Sequence, residues 1–320
     1  MHAIRIEKHG GPEVMRWIEM PEPSPGSGEA LVRVRAAGVN YMDVGARVEG
    51  GPGWAAPAVL GVEGMGYVTA LGEGVSDLAV GDRVAWFYQP GSYAELLAAP
   101  AHSLVKVPDG IDDETAAAVT MQGLTASHLS TETYPIGPGD TALIHAAAGG
   151  VGQLLTQMVK ARGGSVIGLV SREEKAPAAR EAGAEHVLVH TGGGFEDRIR
   201  ELTGGRGVDV VYDGGGADTF RSSQLALRPH GVHAYYGPFM GVPTLRPTDL
   251  PNSILLTYPV VHHHVATRQA LVRRTSEVFA LVLDGRLTPR IERRYPLADA
   301  ARAHSDLESR RTTGKLLLLP

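Results

Sequence analysis

The residues best suited to chemistry form a run of small side chains, Ala146-Ala147-Ala148-Gly149-Gly150-Val151-Gly152, placed directly after the apolar stretch Thr141-Ala142-Leu143-Ile144-His145. From Val151 onward, Leu154, Leu155, Met158 and Val159 recur at helical spacing and mark one apolar stripe. Strand, turn and helix in this order suit a dinucleotide diphosphate: amides at the helix start donate to its oxygens and the helix dipole favours its charge. Gly149, Gly150, Val151 and Gly152 are therefore the candidate ligands, with Gly152 also permitting close helix–sheet packing. A tight turn that binds nothing is the competing reading, and the run of small residues ahead of Val151 within a βαβ unit favours binding.

The end of the second strand bears on which dinucleotide is taken. An acidic residue there would hold a ribose 2′-hydroxyl and repel a 2′-phosphate. The sequence instead reads Leu169-Val170-Ser171-Arg172-Glu173-Glu174-Lys175, so Ser171, Arg172 and Lys175 offer a hydroxyl and two cations. NADPH is the expected cofactor. Glu173 and Glu174 suit a helix N-terminus, and Pro177 removes an amide, so that helix is expected to begin late.

Around these residues, strands are expected at 141–145, 165–170, 186–189, 208–212 and 231–235, separated by helix-length intervals, the pattern of a parallel sheet. Up to about residue 110 the chain instead alternates over short spans cut by Gly and Pro, as in Leu31-Val32-Arg33-Val34-Arg35. A helix over 267–284 and a strand over 314–319 do not continue the βαβ pattern. The 320 residues suit two domains at roughly 150 residues each. A net charge of -5 offers no field for nucleic acid or an anionic membrane, so neither is an expected partner. The absence of cysteine excludes thiolate nucleophiles and sulfur-ligated zinc. The start lacks a signal-peptide apolar run, and no stretch of about 18 apolar residues follows, so a soluble cytoplasmic protein is expected.

Further segments occur in a telling order: Gly10-Gly11-Pro12-Glu13-Val14, Gly38-Val39-Asn40-Tyr41-Met42-Asp43, Gly61-Val62-Glu63, Gly81-Asp82-Arg83-Val84, Gln122-Gly123-Leu124-Thr125-Ala126, the turn at 146–152, and Gly314-Lys315. In this set the chain resembles, over nearly its whole length, the zinc-independent quinone oxidoreductases (zeta-crystallin-like) of the medium-chain dehydrogenase/reductase superfamily. The resemblance implies an α/β protein with a GroES-like β-rich catalytic domain over 1–122, a Rossmann doubly wound parallel sheet over 123–262 that binds NADPH, a return to the catalytic domain over 263–320, and an active cleft between domains. It implies Asn40 and Thr125 near the nicotinamide, Gly150 and Val151 at the pyrophosphate, and Ser171, Lys175, His190 and Arg310 near the adenosine phosphate. Tyr236 and Gly237 would line the nicotinamide. His190 stands where relatives often carry Tyr. A homodimer paired through an edge strand is likewise implied.

Zinc-dependent relatives carry a glycine-histidine-glutamate motif; here the His position is Val62, so no metal is expected and Glu63 reads as structural. In a strand, His262 and His264 would face away from His263, which suits a polar edge or subunit contact better than one ion. Without a Lewis acid, acceptors already activated by conjugation are favoured, namely quinones or enones. Asn40, Tyr41 and Tyr236 are the candidate donors to the developing oxyanion. For Tyr41 a core aromatic with a satisfied hydroxyl is the stronger reading. Asp43 reads as the cap of a short helix over 44–48, and Arg47 as either an anchor for an anionic substrate or the partner of a carboxylate. Where many relatives have a tyrosine the chain has Gly45, so Trp54, Phe239 and Met240 are candidate pocket walls, with ordinary packing as the equal alternative, beside the loop Gly50-Gly51-Pro52-Gly53-Trp54-Ala55. The reading is NADPH-dependent hydride transfer to quinones or related conjugated carbonyls. Its alternatives are an enoyl or alkenal reductase and an NADPH-binding protein with little turnover.

Overall fold

A computed structural model describes residues 1–50, 54–237, 241 and 243–320; Gly51, Pro52, Gly53, Phe239 and Met240 lie outside the described residues. The chain divides into two compact units, one of residues 1–124, 265–285 and 289–320, the other of residues 125–264 and 286–288.

The first unit is built on β-strands. β1 (His2–Ile6) lies between β2 (Met15–Glu19) and β4 (Ala58–Val59), while β3 (Glu29–Val39) anchors a larger sheet with β5 (Glu63–Leu71), β6 (Arg83–Phe87), β7 (Leu96–Pro100) and β8 (Leu104–Lys106). In β3 the alternation read from the sequence is realised: Val32 and Val34 are buried, Arg33 and Arg35 exposed. Beyond Arg35 the strand is buried on both faces and delivers Asn40 to the start of α1 (Tyr41–Val48). α2 (Asp113–His128) follows.

In the second unit, β9 (Thr141–Ile144), β10 (Ser165–Val170), β11 (His186–Val189), β12 (Val208–Asp213), β13 (Leu227–Tyr235) and β14 (Leu255–Thr257) pair in parallel in the order β11-β10-β9-β12-β13-β14. Successive strands run outward from β9 first to one side and then to the other, which makes its C-terminal end the switch point where open α/β sheets bind ligands. α3 (Gly150–Ala161), α4 (Ala176–Glu181), α5 (Glu196–Leu202) and α6 (Ala217–Ala226) connect the strands. α3 forms because its stripe is apolar: Leu154, Leu155, Met158 and Val159 are all buried, and truncating one buried Leu to Ala costs about 2–5 kcal/mol.

The three consecutive histidines do not form a strand. They lie in the short helix α7 (Val261–His264), where His264 stacks on His128 with ring centroids 4.4 Å apart and contacts Glu132. The alternating-face reading therefore fails, because helical rather than strand spacing governs where the rings point. After α7 come α8 (Arg268–Leu283), capped by the Thr267 hydroxyl, then β15 (Ile291–Pro296), α9 (Ala300–Glu308) and β16 (Lys315–Leu319). β16 pairs antiparallel with β3, placing Leu317 opposite Gly38 in the first unit's sheet. Among the described residues no helix is long and apolar enough to cross a membrane.

Candidate active site

Gly149 caps α3, and Gly150, Val151 and Gly152 fill its first three positions, where amides have no acceptor within the helix. A Cβ on Gly152 would stand 2.3 Å from Ala146 O and 2.8 Å from Ala147 Cα, so a side chain there would lift the helix off the turn. Ala146 holds φ 48°, a left-handed conformation that costs an L-residue about 1–2 kcal/mol. Its carbonyl accepts Gly149 N at 2.7 Å, which closes the turn. Compact, glycine-rich backbone at the positive end of a helix fits a diphosphate.

Beside this turn, Ser171 follows β10 and His190 follows β11, and the two strands pair with Val170 opposite Val189. Arg172 caps a single 3-10 turn over Glu173–Lys175, and α4 starts only at Ala176 with Pro177 in its first turn, so the helix begins late. The His190 ring packs edge-on against Phe195 at 5.4 Å and contacts Gly193 O. A hydroxyl, a guanidinium and an imidazole thus directly follow the C-terminal ends of two neighbouring strands, and Glu173, Glu174 and Lys175 come together in the next turn.

Below the turn lies a buried polar cluster that sequence reasoning missed. Asp213, at the end of β12, accepts Ser223 Oγ at 2.7 Å and Gly215 N at 2.8 Å, and stands 3.2 Å from His145 Nδ1 and 3.1 Å from His233 Nε2. Ser223 Oγ is also 3.1 Å from His145 Nε2. The membership is that of a hydrolytic triad, yet the Ser223 proton is given to the carboxylate and Asp213, Ser223 and His145 are all buried, so the group serves as a polar plug linking β9, β12, β13 and α6. Burial alone would raise Asp213, but His145 and His233 outweigh it and hold its carboxyl far below the usual range. Burial lowers His145. Residue 145, read as a strand end, carried a hint of this; Asp213, one residue past the strand read over 208–212, Ser223 and His233 carried none.

Tyr236 and Gly237 follow β13. Tyr236 N donates to Asp213 O at 2.9 Å, and a Cβ on Gly214 would stand 3.3 Å from the Tyr236 hydroxyl. Burial, with Asp213 adding to it, pushes the Tyr236 phenol up, so it stays a neutral donor. A Cβ on Gly237 would come within 2.6 Å of Gly214 Cα, which keeps these two backbones in close approach. Thr125 lies half-buried on α2.

In the first unit Asn40, Asp43, Glu63 and Lys315 come together. Asn40 Nδ2 donates to Glu63 Oε2 at 3.0 Å and lies 3.4 Å from Gly38 O, while its Oδ1 accepts Lys315 Nζ at 2.8 Å. Lys315 also pairs with Glu63, whose other oxygen accepts Met121 N at 2.6 Å. Asp43 accepts Asn40 N at 2.8 Å from within the first turn of α1; the cap is Asn40 and the helix starts at Tyr41, three residues ahead of the helix read from the sequence, because the Asn40 and Asp43 side chains form a reciprocal capping box. Burial pushes Asp43 up to about 7, against the opposing pull of the Asn40 amide, Lys315 and Tyr93. The Tyr41 hydroxyl donates to Leu307 O at 3.1 Å, the satisfied-aromatic reading. Arg47 is buried, pairs through two nitrogens with Glu308 at 2.8 and 3.0 Å, and lies 3.1 Å from His304 Nδ1, so its cation is spent on a carboxylate. Burial, then Arg47, lowers His304 to about 3. Trp54 is buried, edge-on to Tyr88 at 5.3 Å. Arg310, exposed, follows α9 at φ 54°. Among the described residues no group of three or more His, Asp or Glu is placed to hold a metal ion.

Residues 26–109 match the alcohol dehydrogenase GroES-like domain and residues 150–281 the zinc-binding dehydrogenase domain. A quinone oxidoreductase of Pseudomonas aeruginosa is 40% identical, with 99% of both chains covered. The chain belongs to the zeta-crystallin-like quinone oxidoreductase family of the medium-chain dehydrogenases/reductases. Another relative of this oxidoreductase, the 2-haloacrylate reductase of a Burkholderia species, is 38% identical over 99% of this chain and 98% of its own. An Escherichia coli quinone oxidoreductase solved in complex with NADPH superposes on this family member with a TM-score of 0.96 at 36% identity, covering 100% of each chain. The match to a zinc-binding domain follows its fold rather than a ligand set: the oxidoreductase has no cysteine, and Val62 stands where zinc-dependent relatives place a histidine.

Proposed function

We propose that the protein reduces quinones with NADPH, and that alkenes conjugated to a carbonyl or carboxyl group are its second class of acceptor. The observation that carries this reading is the glycine-rich start of α3 at Gly149–Gly152, packed against Ala146 and Ala147 at Gly152 and set at the switch point of the parallel sheet, with Ser171, Arg172 and His190 directly following the two neighbouring strands. NADPH, when bound, supplies a hydride to the acceptor. The amides of Gly150, Val151 and Gly152 hold the diphosphate. Ser171, Arg172, Lys175 and His190 recognise the 2′-phosphate, with Arg310 as a further cation, and Thr125, Asn40, Tyr236 and Gly237 complete the cofactor contacts.

Hydride addition leaves negative charge on the acceptor oxygen, which a neutral donor stabilises. Tyr236 suits this role because its phenol has no partner among the described residues and burial keeps it protonated. Tyr41 gives its proton to Leu307 O and fits packing better. The conjugated-alkene class is favoured by the 2-haloacrylate reductase relative. A homodimer paired through the edge strand β14, where Leu255 is 64% exposed, and a cytoplasmic location complete the proposal.

The test is NADPH consumption across benzoquinone, naphthoquinone, 2-haloacrylate and alkenal acceptors. Quinone turnover well above the acceptor-free rate supports the reading. Turnover confined to the alkenes transfers it to double-bond reduction, and tight NADPH binding with no turnover on any acceptor makes the protein a cofactor binder.

A further inference from the structure

The Asn40 side chain is held at every polar position but one. A lysine ammonium can only donate and an ionised carboxylate can only accept. Lys315 Nζ at 2.8 Å therefore identifies Oδ1, and Glu63 Oε2 at 3.0 Å identifies Nδ2, which fixes the orientation of the carboxamide. The second Nδ2 hydrogen has Gly38 O as its acceptor at 3.4 Å. The backbone is fixed as well, through Asn40 N to Asp43 Oδ2 at 2.8 Å. What remains is the second lone pair of Oδ1.

The pair that does this is costly to bury. Lys315 and Glu63 are 1% and 0% exposed, and an ion taken out of water loses several kcal/mol of hydration that its partner returns only with good geometry and further hydrogen bonds. The sheet leaves room for the pair at a particular point: a Cβ on Gly38 would stand 2.2 Å from Glu63 Oε2 and 2.8 Å from Lys315 Nζ. β3, β5, β16 and α2 all contribute to it, α2 through Met121 N. An apolar pair of similar size would fill the same space without the hydration loss, so stability alone does not account for these charges.

We propose that Lys315 and Glu63 are positioning residues, which lock the Asn40 carboxamide so that it presents a hydrogen-bond acceptor, and no free N–H, to the group it recognises. This rests on the proposed placement of Asn40 among the cofactor contacts. Asn40 then selects a donor, such as a carboxamide N–H, and leaves stabilisation of the acceptor's oxyanion to other groups.

A double-mutant cycle on the full-length protein tests this. The pair is replaced by Lys315→Met with Glu63→Gln, in the wild type and in an Asn40→Ala background, and NADPH affinity is read by nucleotide fluorescence beside kcat/KM. If the pair acts through Asn40, its replacement lowers affinity and kcat/KM about tenfold in the wild type and less than about twofold in the Asn40→Ala background. Equal losses in both backgrounds, or an Asn40→Ala protein indistinguishable from wild type, overturn the proposal.

A second arm needs neither a folded pair variant nor turnover. In the ligand-free wild type the Asn40 side-chain amide gives two separate proton resonances that exchange slowly with solvent; exchange as fast as that of an exposed asparagine overturns the lock. A wild type that neither binds nor oxidises NADPH would instead remove the functional reading while this arm still judges the geometry.

Discussion

Three residues named from the sequence as donors meet different fates once their hydrogens are followed. Tyr41 spends its proton on Leu307 O, Asn40 directs its N–H groups at Glu63 and Gly38, and Tyr236 keeps a neutral phenol without a partner among the described residues. Tyr236→Phe is expected to lower kcat on quinones by about 10- to 100-fold while leaving NADPH affinity within about threefold, read by steady-state kinetics and fluorescence titration. A second residue-scale expectation concerns pH. Asp43, raised to about 7, binds a proton in the folded state that the unfolded chain releases near pH 4, so its contribution is full at low pH and fades as pH rises towards 7. His304, lowered to about 3, stays neutral in the folded state while the unfolded chain protonates below about 6.5, so its term fades as pH falls. The two slopes oppose each other between about pH 4 and 6.5. Asp43→Asn leaves the His304 term alone, and the variant's thermal midpoint is expected to climb from pH 4 to 6.5 more steeply than the wild type's; a parallel or falling curve would contradict the assignment.

Among the elements, those that follow a local period were legible. The alternation in β3 and the apolar stripe of α3 appear where the pattern puts them, because each is decided by burying one face. The strand ends of β10 and β11 were legible for the same reason. What sequence could not supply was contact between distant positions: Lys315 lies 252 residues from Glu63, and the Ser223–Asp213–His145 group unites α6, β12 and the end of β9. The histidines at 262–264 were misread because three polar residues in a row carry no period; they lie in a short helix, with His264 stacked on His128. The turn itself yields a sharp expectation. Gly152→Val places side-chain carbon where Ala146 O already stands, so NADPH affinity should drop by at least about 100-fold, near 2.7 kcal/mol, with the far-UV spectrum retained. Arg172→Ala with Lys175→Ala should instead weaken NADPH and spare NADH, since only the former carries the 2′-phosphate.

For the molecule as a whole, strand order and family membership agree with the order in which the motifs occur along the chain. A β-rich unit holds the locked Asn40, and a doubly wound unit holds the glycine cradle. Acceptor identity was the least legible property, because the residues that bear on it were singled out by size rather than charge, as Trp54 illustrates: its type suits a pocket wall and an ordinary packing residue equally, and its buried ring packs against Tyr88. Calorimetric titration of the purified protein with NADPH and with NADH tests the central claim most directly. One NADPH per chain, bound at least about tenfold more tightly than NADH, is the predicted result; no binding heat with either nucleotide, or a preference for NADH, would contradict it.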